Sequence, residues 1–391
     1  MASTELLLQF ALVACLFVVF YTYVGYPVLL LIVSRIWGRQ ARRDSKSTPS
    51  VSIVLAVYNE ERFVRGRVEE LAGLLRSSGL TGEILVVSDG SIDATSAIAD
   101  TVDRELVRVI DLPKNQGKAV ALTVGCQTSR NDVIVFADVR QRWGSDTLRL
   151  LLENFADPRV GAATGDLVVE TESGVMAGVG LYWKFEKWLR RTESRLGSMV
   201  GVTGAIAAVR RELFHPIPAG TLLDDVYWPM QVAMQGFRVV HDSRSKAYDQ
   251  LPARVQDEFR RKVRTLSGNF QLLVRLPQLL LPWRNPICWQ YVSHKVCRLI
   301  APWALLGVFL TSAVLPGPTF LTVLWAQVIG YAIGLLGMTR LGAQLKPASA
   351  AGSFIVLNAA AWIAFWVWSF GRASRSWSKV SYGGGAVSVS R

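Results

Sequence analysis

Cysteine is scarce and scattered: Cys15, Cys126, Cys288 and Cys297 are the only four in 391 residues. No pair has zinc-ligand spacing, and so few thiols, two of them in or beside apolar segments, do not make a disulfide framework. A structural role is expected for all four. Acid is also short, with 30 Asp and Glu against 43 Lys and Arg, which leaves a formal charge of +13. Anionic lipid head groups and anionic substrates are therefore natural partners. Nucleic acid is set aside, because a basic membrane protein commonly owes its charge to cytoplasmic flanks. No internal repeat is present. The amino terminus lacks the basic leader of a signal peptide, and its apolar run, Leu6 to Val33, is too long to be one.

What is abundant is apolar surface, 51% of residues, concentrated at the two ends. Leu6 to Val33 is long enough to cross a bilayer with some tilt. Arg35, Arg39, Arg42, Arg43 and Lys46 follow it, so the positive-inside rule puts the amino terminus outside and the next segment in the cytoplasm. Three further apolar stretches, Leu299 to Leu315, Thr319 to Met338 and Phe354 to Phe370, lie near the carboxyl end, with a turn at Pro316-Gly317-Pro318. Arg340 and Lys346 then fall on the cytoplasmic side. Four full crossings would leave a basic tail (Arg372, Arg375, Lys379, Arg391) outside, against the same rule. A re-entrant last segment and a tolerated exception both remain open. The expected division is a membrane helix at 1–36, a cytoplasmic catalytic domain at 48–270, an interfacial amphipathic segment at 271–298 anchored by Trp283, Trp289 and Tyr291, membrane helices at 299–371, and a disordered tail at 372–391 containing Gly383-Gly384-Gly385. Tyr182 to Leu196, rich in Trp, Lys and Arg, reads equally as a helix on the bilayer surface or as a partly buried helix with a basic face.

Between the apolar ends the pattern is α/β. Val51 to Val57 reads as a buried strand, followed by a helix to about Arg76. Glu83 to Ser88 is a second strand, Ser91 to Asp103 a helix and Leu106 to Asp111 a short strand. Lys118 to Thr128 is helical, and Val133 to Ala137 is a fourth strand. Alternation of this kind predicts a parallel sheet with right-handed crossovers, and functional groups of such sheets lie beyond the strands' carboxyl ends. Asn59, Asp89 and Asp138 each stand at such an end. Carboxylates there suit a diphosphate neutralised by Mg²⁺ or Mn²⁺. Asp224-Asp225 precedes a helical pattern; two adjacent carboxylates repel, which raises one pKa and suits a base, although an acidic residue at a helix start serves equally as a cap. Arg260, Arg261, Lys262 and Arg264 suit either a leaving diphosphate or anionic lipid.

Six motifs in order, VLAVYNEE (54–61), SDGSIDAT (88–95), KNQGKAVAL (114–122), VIVFADVR (133–140), VTGAIAAVRREL (202–213) and LLDDVYWPMQVAMQGFRVV (222–240), resemble the membrane-integrated family 2 glycosyltransferases, which include cellulose, chitin and hyaluronan synthases. The resemblance covers about residues 50 to 275. It implies a GT-A domain plus α-helical membrane segments, and inverting transfer of a sugar from a nucleoside diphosphate, expected to be UDP, to a saccharide or lipid-linked acceptor at the cell membrane. Polysaccharide synthesis or export proteins would be its companions. By the same resemblance Asp225 is the base with Asp224 beside it, Asn59 and Glu60 form the nucleoside-side loop, Asp89 contacts the nucleotide, Lys118 lies near the diphosphate, and Asp138 is the first acid of the DxD metal motif. Two departures matter. Arg140 stands where the second acid of that motif would, so Arg140 is expected to bind phosphate in place of part of the metal's charge. The QxxRW-like site reads Arg261-Lys262-Val263-Arg264-Thr265, so Arg264 matches its basic residue while Gln and Trp are missing. Processive synthesis, single transfer to a polyprenyl phosphate or other lipid, and a silent nucleotide-sugar-binding subunit of a synthase all stay open on these residues.

Overall fold

The computed structural model describes residues 2–170, 177–250, 255–339 and 341–373. Arg340 and the tail from residue 374, with Arg375, Lys379 and the glycine run, lie outside the described residues. The chain begins in helix: α1 (Ala2–Phe20) passes through one π-helical turn, Tyr21–Gly25, into α2 (Tyr26–Trp37). There follow β1 (Val51–Val57), α3 (Val64–Ser78), β2 (Gly82–Ser88), α4 (Thr95–Asp100), β3 (Val107–Asp111), α5 (Lys118–Thr128) and β4 (Val133–Ala137). The sequence places β1, β4 and α5 to the residue. The helix expected over Ser91–Asp103 is shorter, because the Asp93 carboxylate accepts the Thr95 N–H at 3.1 Å and holds the preceding residues in a turn.

β1 to β4 are parallel, in the order β3-β2-β1-β4. Beyond them come β5 (Arg142–Trp143), α6 (Thr147–Leu152), β6 (Val160–Glu170), α7 (Ala177–Leu196), β7 (Ile206–Arg210), α8 (Asp224–Met234) and β8 (Arg238–Gln250). The sheet continues β4-β7-β6-β8-β5, with β7 antiparallel to both of its neighbours. The expected all-parallel sheet therefore holds only for its first half. β4 is a continuous apolar run, and β1 one broken only by the buried Ser52, because both faces are covered. Val54, Leu85, Val87 and Phe136 pack into one core layer, and Ile53, Leu55, Val86 and Val135 into the other. Val57 pairs with Ser88 and Leu55 with Ala137, so this register brings Asn59, Asp89 and Asp138 to one edge of the sheet.

The last part is helical: α9 (Val255–Arg275), α10 (Cys288–Tyr291), a π turn at Val292–Val296, α11 (Cys297–Val314), α12 (Pro318–Gly337) and α13 (Lys346–Ser369). Among the described residues four helical stretches are long and apolar enough to cross a membrane: Ser3–Trp37, Cys288–Val314, Pro318–Gly337 and Lys346–Ser369. The second begins eleven residues before the expected Leu299, and the fourth eight residues before Phe354. Residues expected at an interface from 271 onward are divided instead. Leu272, Leu276, Leu279, Ile287 and Tyr291 join the main core, while Trp283 stays 75% exposed. Of the two readings of Tyr182 to Leu196, the structure shows the partly buried helix: Glu186, Leu189, Thr192 and Glu193 of α7 are buried.

Candidate active site

Asp138 follows β4, and its backbone is clamped from below. The carbonyl accepts Nε of Arg67 at 3.0 Å; Arg67 is itself 3% exposed, paired with Glu70 and stacked over Trp143. Such a residue cannot drift, so the Asp138 carboxylate is presented from a rigid wall. Its Oδ1 accepts the Lys118 ammonium at 2.7 Å, and that ammonium also stands 3.9 Å from Asp224 Oδ2. Lys118 opens α5 directly after Gly117, whose φ of +93° turns the chain into the helix. Burial alone would lower the lysine's pKa, but Asp138, Asp224 and Asp225 together raise it, so its charge is secure.

Asp224 and Asp225 occupy the first turn of α8, where the helix dipole favours negative charge. Neither acts as a side-chain cap; the cap position is Leu223. Pro229 lies inside this helix and has no N–H to give the carbonyl four residues back. That carbonyl belongs to Asp225, and it accepts the Val202 N–H at 2.7 Å instead. The proline thus frees a backbone acceptor that ties the 202–204 strip to the acidic pair. From the other side α9 supports the same turn: the Gln271 amide takes the Leu222 N–H at 2.9 Å and donates to the Gly220 carbonyl at 2.9 Å. A Cβ on Gly268 would sit 2.5 Å from Leu223 Cγ, so only glycine lets α9 approach this closely. Neither Gln271 nor Gly268 was apparent as a site residue, since their partners are some fifty residues away.

Asp138, Lys118, Asp224 and Asp225 line one pocket with Phe136, Trp228 and Gly204. Burial pushes the Asp225 carboxyl up, the negative charge of Asp224 adds to this, and Lys118, Arg190 and Lys295 oppose it; the result is a pKa raised to about 6. A carboxyl so poised is ionised at neutral pH yet basic enough to take a proton.

A second crevice, of about 220 Å³, is lined by Asn59, Glu60, Glu61, Arg62, Phe63, Asp93 and Arg140. Asn59 holds a left-handed backbone, φ 52°; its N–H donates to Ser91 Oγ at 3.0 Å and its Oδ1 accepts the Ile92 N–H at 2.9 Å. The Glu60 N–H donates to Thr95 Oγ1, so the two loops are stitched together. The guanidinium of Arg140 donates to Glu60 at 2.9 Å and lies 5.4 Å from the centre of the Phe63 ring.

Asp89 lines neither crevice. It is 3% exposed, and its two oxygens accept the N–H groups of Gln116 and Gly117 at 2.7 and 2.8 Å. In this arrangement its carboxylate shapes the loop that precedes Lys118. Arg261 and Arg264 stand on α9, and neither lines the pocket of Asp138 and Asp225. Arg261 pairs with Glu258 at 3.0 Å and faces the Trp183 ring.

Among the described residues no group of three His, Cys, Asp or Glu side chains forms a metal cage. A divalent ion would fit here on one or two protein carboxylates, Asp138 among them, with substrate phosphates completing its shell, an arrangement usual for Mg²⁺.

A family model described as Glycosyl transferase family 2 matches residues 52–217. A poly-beta-1,6-N-acetyl-D-glucosamine synthase of Staphylococcus aureus is 21% identical over 271 residues, 64% of this chain and 65% of that protein. Its Staphylococcus epidermidis counterpart is 21% identical over 276 residues, 68% of this chain and 66% of that one. The match thus spans about two thirds of these relatives. Among solved structures, the mannosyltransferase PcManGT from Pyrobaculum calidifontis, in complex with GDP-Man and Mn²⁺, superposes with a TM-score of 0.67 at 20% identity, covering 93% of this chain and 99% of that one. That likeness is one of fold. Residues 52–217, with carboxylates gathered at the ends of the parallel strands, thus match the glycosyl transferase family 2 model, and the chain carries a GT-A-like fold.

Proposed function

We propose that this chain is a membrane-embedded inverting glycosyltransferase that moves a sugar from a nucleoside diphosphate to an acceptor hydroxyl. The observation that carries the reading is the pocket itself: a raised-pKa carboxyl, Asp225, stands across from Asp138 and Lys118 on a rigid wall. The nucleoside side of the donor occupies the crevice of Asn59, Glu60 and Arg140. The diphosphate lies by Lys118 and Asp138. Asp225 takes the proton of the acceptor hydroxyl as the new glycosidic bond forms, and the bond to the diphosphate breaks on the opposite face of the sugar. Lys118 holds the charge of the departing diphosphate. A divalent ion held by Asp138, Mg²⁺ or Mn²⁺, would neutralise more of that charge when bound. The solved relative of the same fold binds GDP-Man and Mn²⁺, which supports this class of donor.

Four apolar helices support placement in a membrane, with the basic flank after the first supporting a cytoplasmic catalytic domain. The staphylococcal relatives support a saccharide acceptor and polysaccharide synthesis. Thr265, in place of the expected tryptophan, favours instead a single transfer to a lipid acceptor. The test is Asp225→Asn in purified full-length protein. Loss of transfer by about 10²–10⁴-fold is expected, the usual contribution of a general base, with binding of labelled nucleotide unchanged. Retained turnover would refute the assignment.

A further inference from the structure

One cation on α7 reaches the wall of the reaction pocket without lining it. Glu186, Arg190 and Glu193 are spaced so that they share one face of α7, and both carboxylates are buried there. The guanidinium of Arg190 spans two partners. Its Nε donates to Glu186 Oε1 at 3.4 Å, and its Nη1 donates to Thr203 Oγ1 at 3.4 Å. Glu186 is held in turn from the apolar stretch Cys288–Val314. Arg298 donates to it at 2.8 Å, His294 Nε2 lies at 2.9 Å and Lys295 at 3.9 Å. A buried carboxylate with charge-assisted partners on this scale keeps its place. Arg190 therefore meets Thr203 from a fixed anchor.

Thr203 already uses its backbone groups. Its N–H donates to Thr164 Oγ1 at 3.1 Å, and its carbonyl accepts the Ile206 N–H at 3.0 Å. The hydroxyl is the handle left over, and Arg190 takes it. On one side of Thr203, the Val202 N–H donates to the Asp225 carbonyl at 2.7 Å. On the other, a Cβ on Gly204 would lie 3.7 Å from Lys118 Nζ, 3.9 Å from Asp225 Cβ and 4.0 Å from Asp138 Oδ2. Three consecutive residues thus connect α7 to the backbone of the base and to the ground between Asp225 and Asp138. Arg190 also acts on the base through space. Burial and the charge of Asp224 push the Asp225 carboxyl up, while Lys118, Arg190 and Lys295 hold it down. Of those three cations only Lys118 lines the pocket; the other two come from the contact around Glu186.

We infer that Arg190 is a positioning residue for the base: anchored by Glu186 against the Cys288–Val314 helix, it fixes Thr203 and so sets where Asp225 stands relative to Asp138 and Lys118. This deepens the proposed function and rests on Asp225 as the base. The contact between a membrane-type helix and the catalytic domain thereby becomes part of the site's geometry. Displacing a reacting group by about 1 Å can cost on the order of 10²-fold in rate. Donor binding, which uses other residues, is left as it was.

The test measures sugar transfer by membranes containing the full chain, with labelled UDP-glucose, UDP-N-acetylglucosamine and GDP-mannose as donors and rates expressed per mole of chain. The donor most used by wild type is carried into the variants. Thr203→Val removes only the hydroxyl and keeps the β-branched shape. Arg190→Gln removes the guanidinium and leaves Glu186 with Arg298, His294 and Lys295. Each is expected to lower kcat by about ten- to a hundredfold while KM for the donor and binding of labelled nucleoside diphosphate stay within about twofold. Thr203→Ser, which keeps the hydroxyl, should retain most of the wild-type kcat. The double variant should be no slower than the slower single one, since both changes break one contact. Thr203→Val touches no buried charge and decides the matter where Arg190→Gln does not fold. Wild-type kcat in Thr203→Val, a loss carried by KM, Thr203→Ser as slow as Thr203→Val, or multiplied losses in the double variant overturns the inference. Undiminished turnover in Asp225→Asn, or no transfer from any of the three donors by wild type, sinks the proposed function, and the inference falls with it.

Discussion

The ionisation of Asp225 offers the sharpest test of the site, because the structure supplies both its direction and its causes. Its pKa is raised from 3.8 to about 6, a preference for the protonated form worth roughly 3 kcal/mol. A base must be ionised, so kcat/KM is expected to fall about tenfold per pH unit below about pH 6. Burial is the larger cause and the Asp224 charge the second. Asp224→Asn removes only the second, so the acidic limb should move down by about 0.5 to 1 unit. Stability supplies an independent check. The folded chain holds the Asp225 proton more tightly than the unfolded chain does, so the ionised side chain opposes folding above about pH 6 and not below about pH 4. Asp225→Asn should therefore raise the thermal midpoint near neutral pH, with the gain vanishing toward about pH 4. The assays are initial rates across a pH series for wild type and Asp224→Asn, and melting of Asp225→Asn at both ends of it. An acidic limb that stays put or moves up in Asp224→Asn would refute the reasoning, as would an Asp225→Asn protein less stable than wild type at neutral pH.

Two more outcomes follow from neighbouring geometry. Gly90 has a φ of +67°, and a Cβ there would lie 2.4 Å from the Lys114 carbonyl carbon. Gly90→Ala should therefore cost more than about 1 kcal/mol of stability and weaken nucleotide binding through the 114–117 loop that Asp89 holds; a variant as stable and as tight as wild type would count against that loop's role. The Lys118 ammonium already lies on Asp138, so chelator should reduce transfer without abolishing it; complete loss in chelator, restored only by Mg²⁺ or Mn²⁺, would show that Lys118 does not share the metal's work.

Much of the donor half was legible in order along the chain. β1 and β4 could be placed to the residue because an apolar run buried on both faces needs no knowledge of its partners, and α5 because it starts directly after Gly117. Asn59, Asp89 and Asp138 could be placed at strand ends for the same reason. What each then touches was not legible. Asp89 turned inward to the backbone of Gln116 and Gly117, and Arg140 turned to Glu60, eighty residues earlier. The antiparallel β7 was missed because its pairing with β4 and β6 is settled across the sheet, with no local mark in Ile206–Arg210.

Local pattern alone determined that strands and helices alternate in the middle of the chain, that the ends are apolar, and that acids follow the strands. Periodicity and side-chain size act over a few residues, and those are readable in one dimension. Only the tertiary structure decided that Asp225 stands opposite Asp138 and Lys118, that Asp89 is a buried brace, and that Glu186 gathers Arg190, His294, Lys295 and Arg298 around it. Electrostatic balance and burial depend on which groups come within a few ångströms of one another, and here those groups are brought together from positions 20 to more than 100 residues apart.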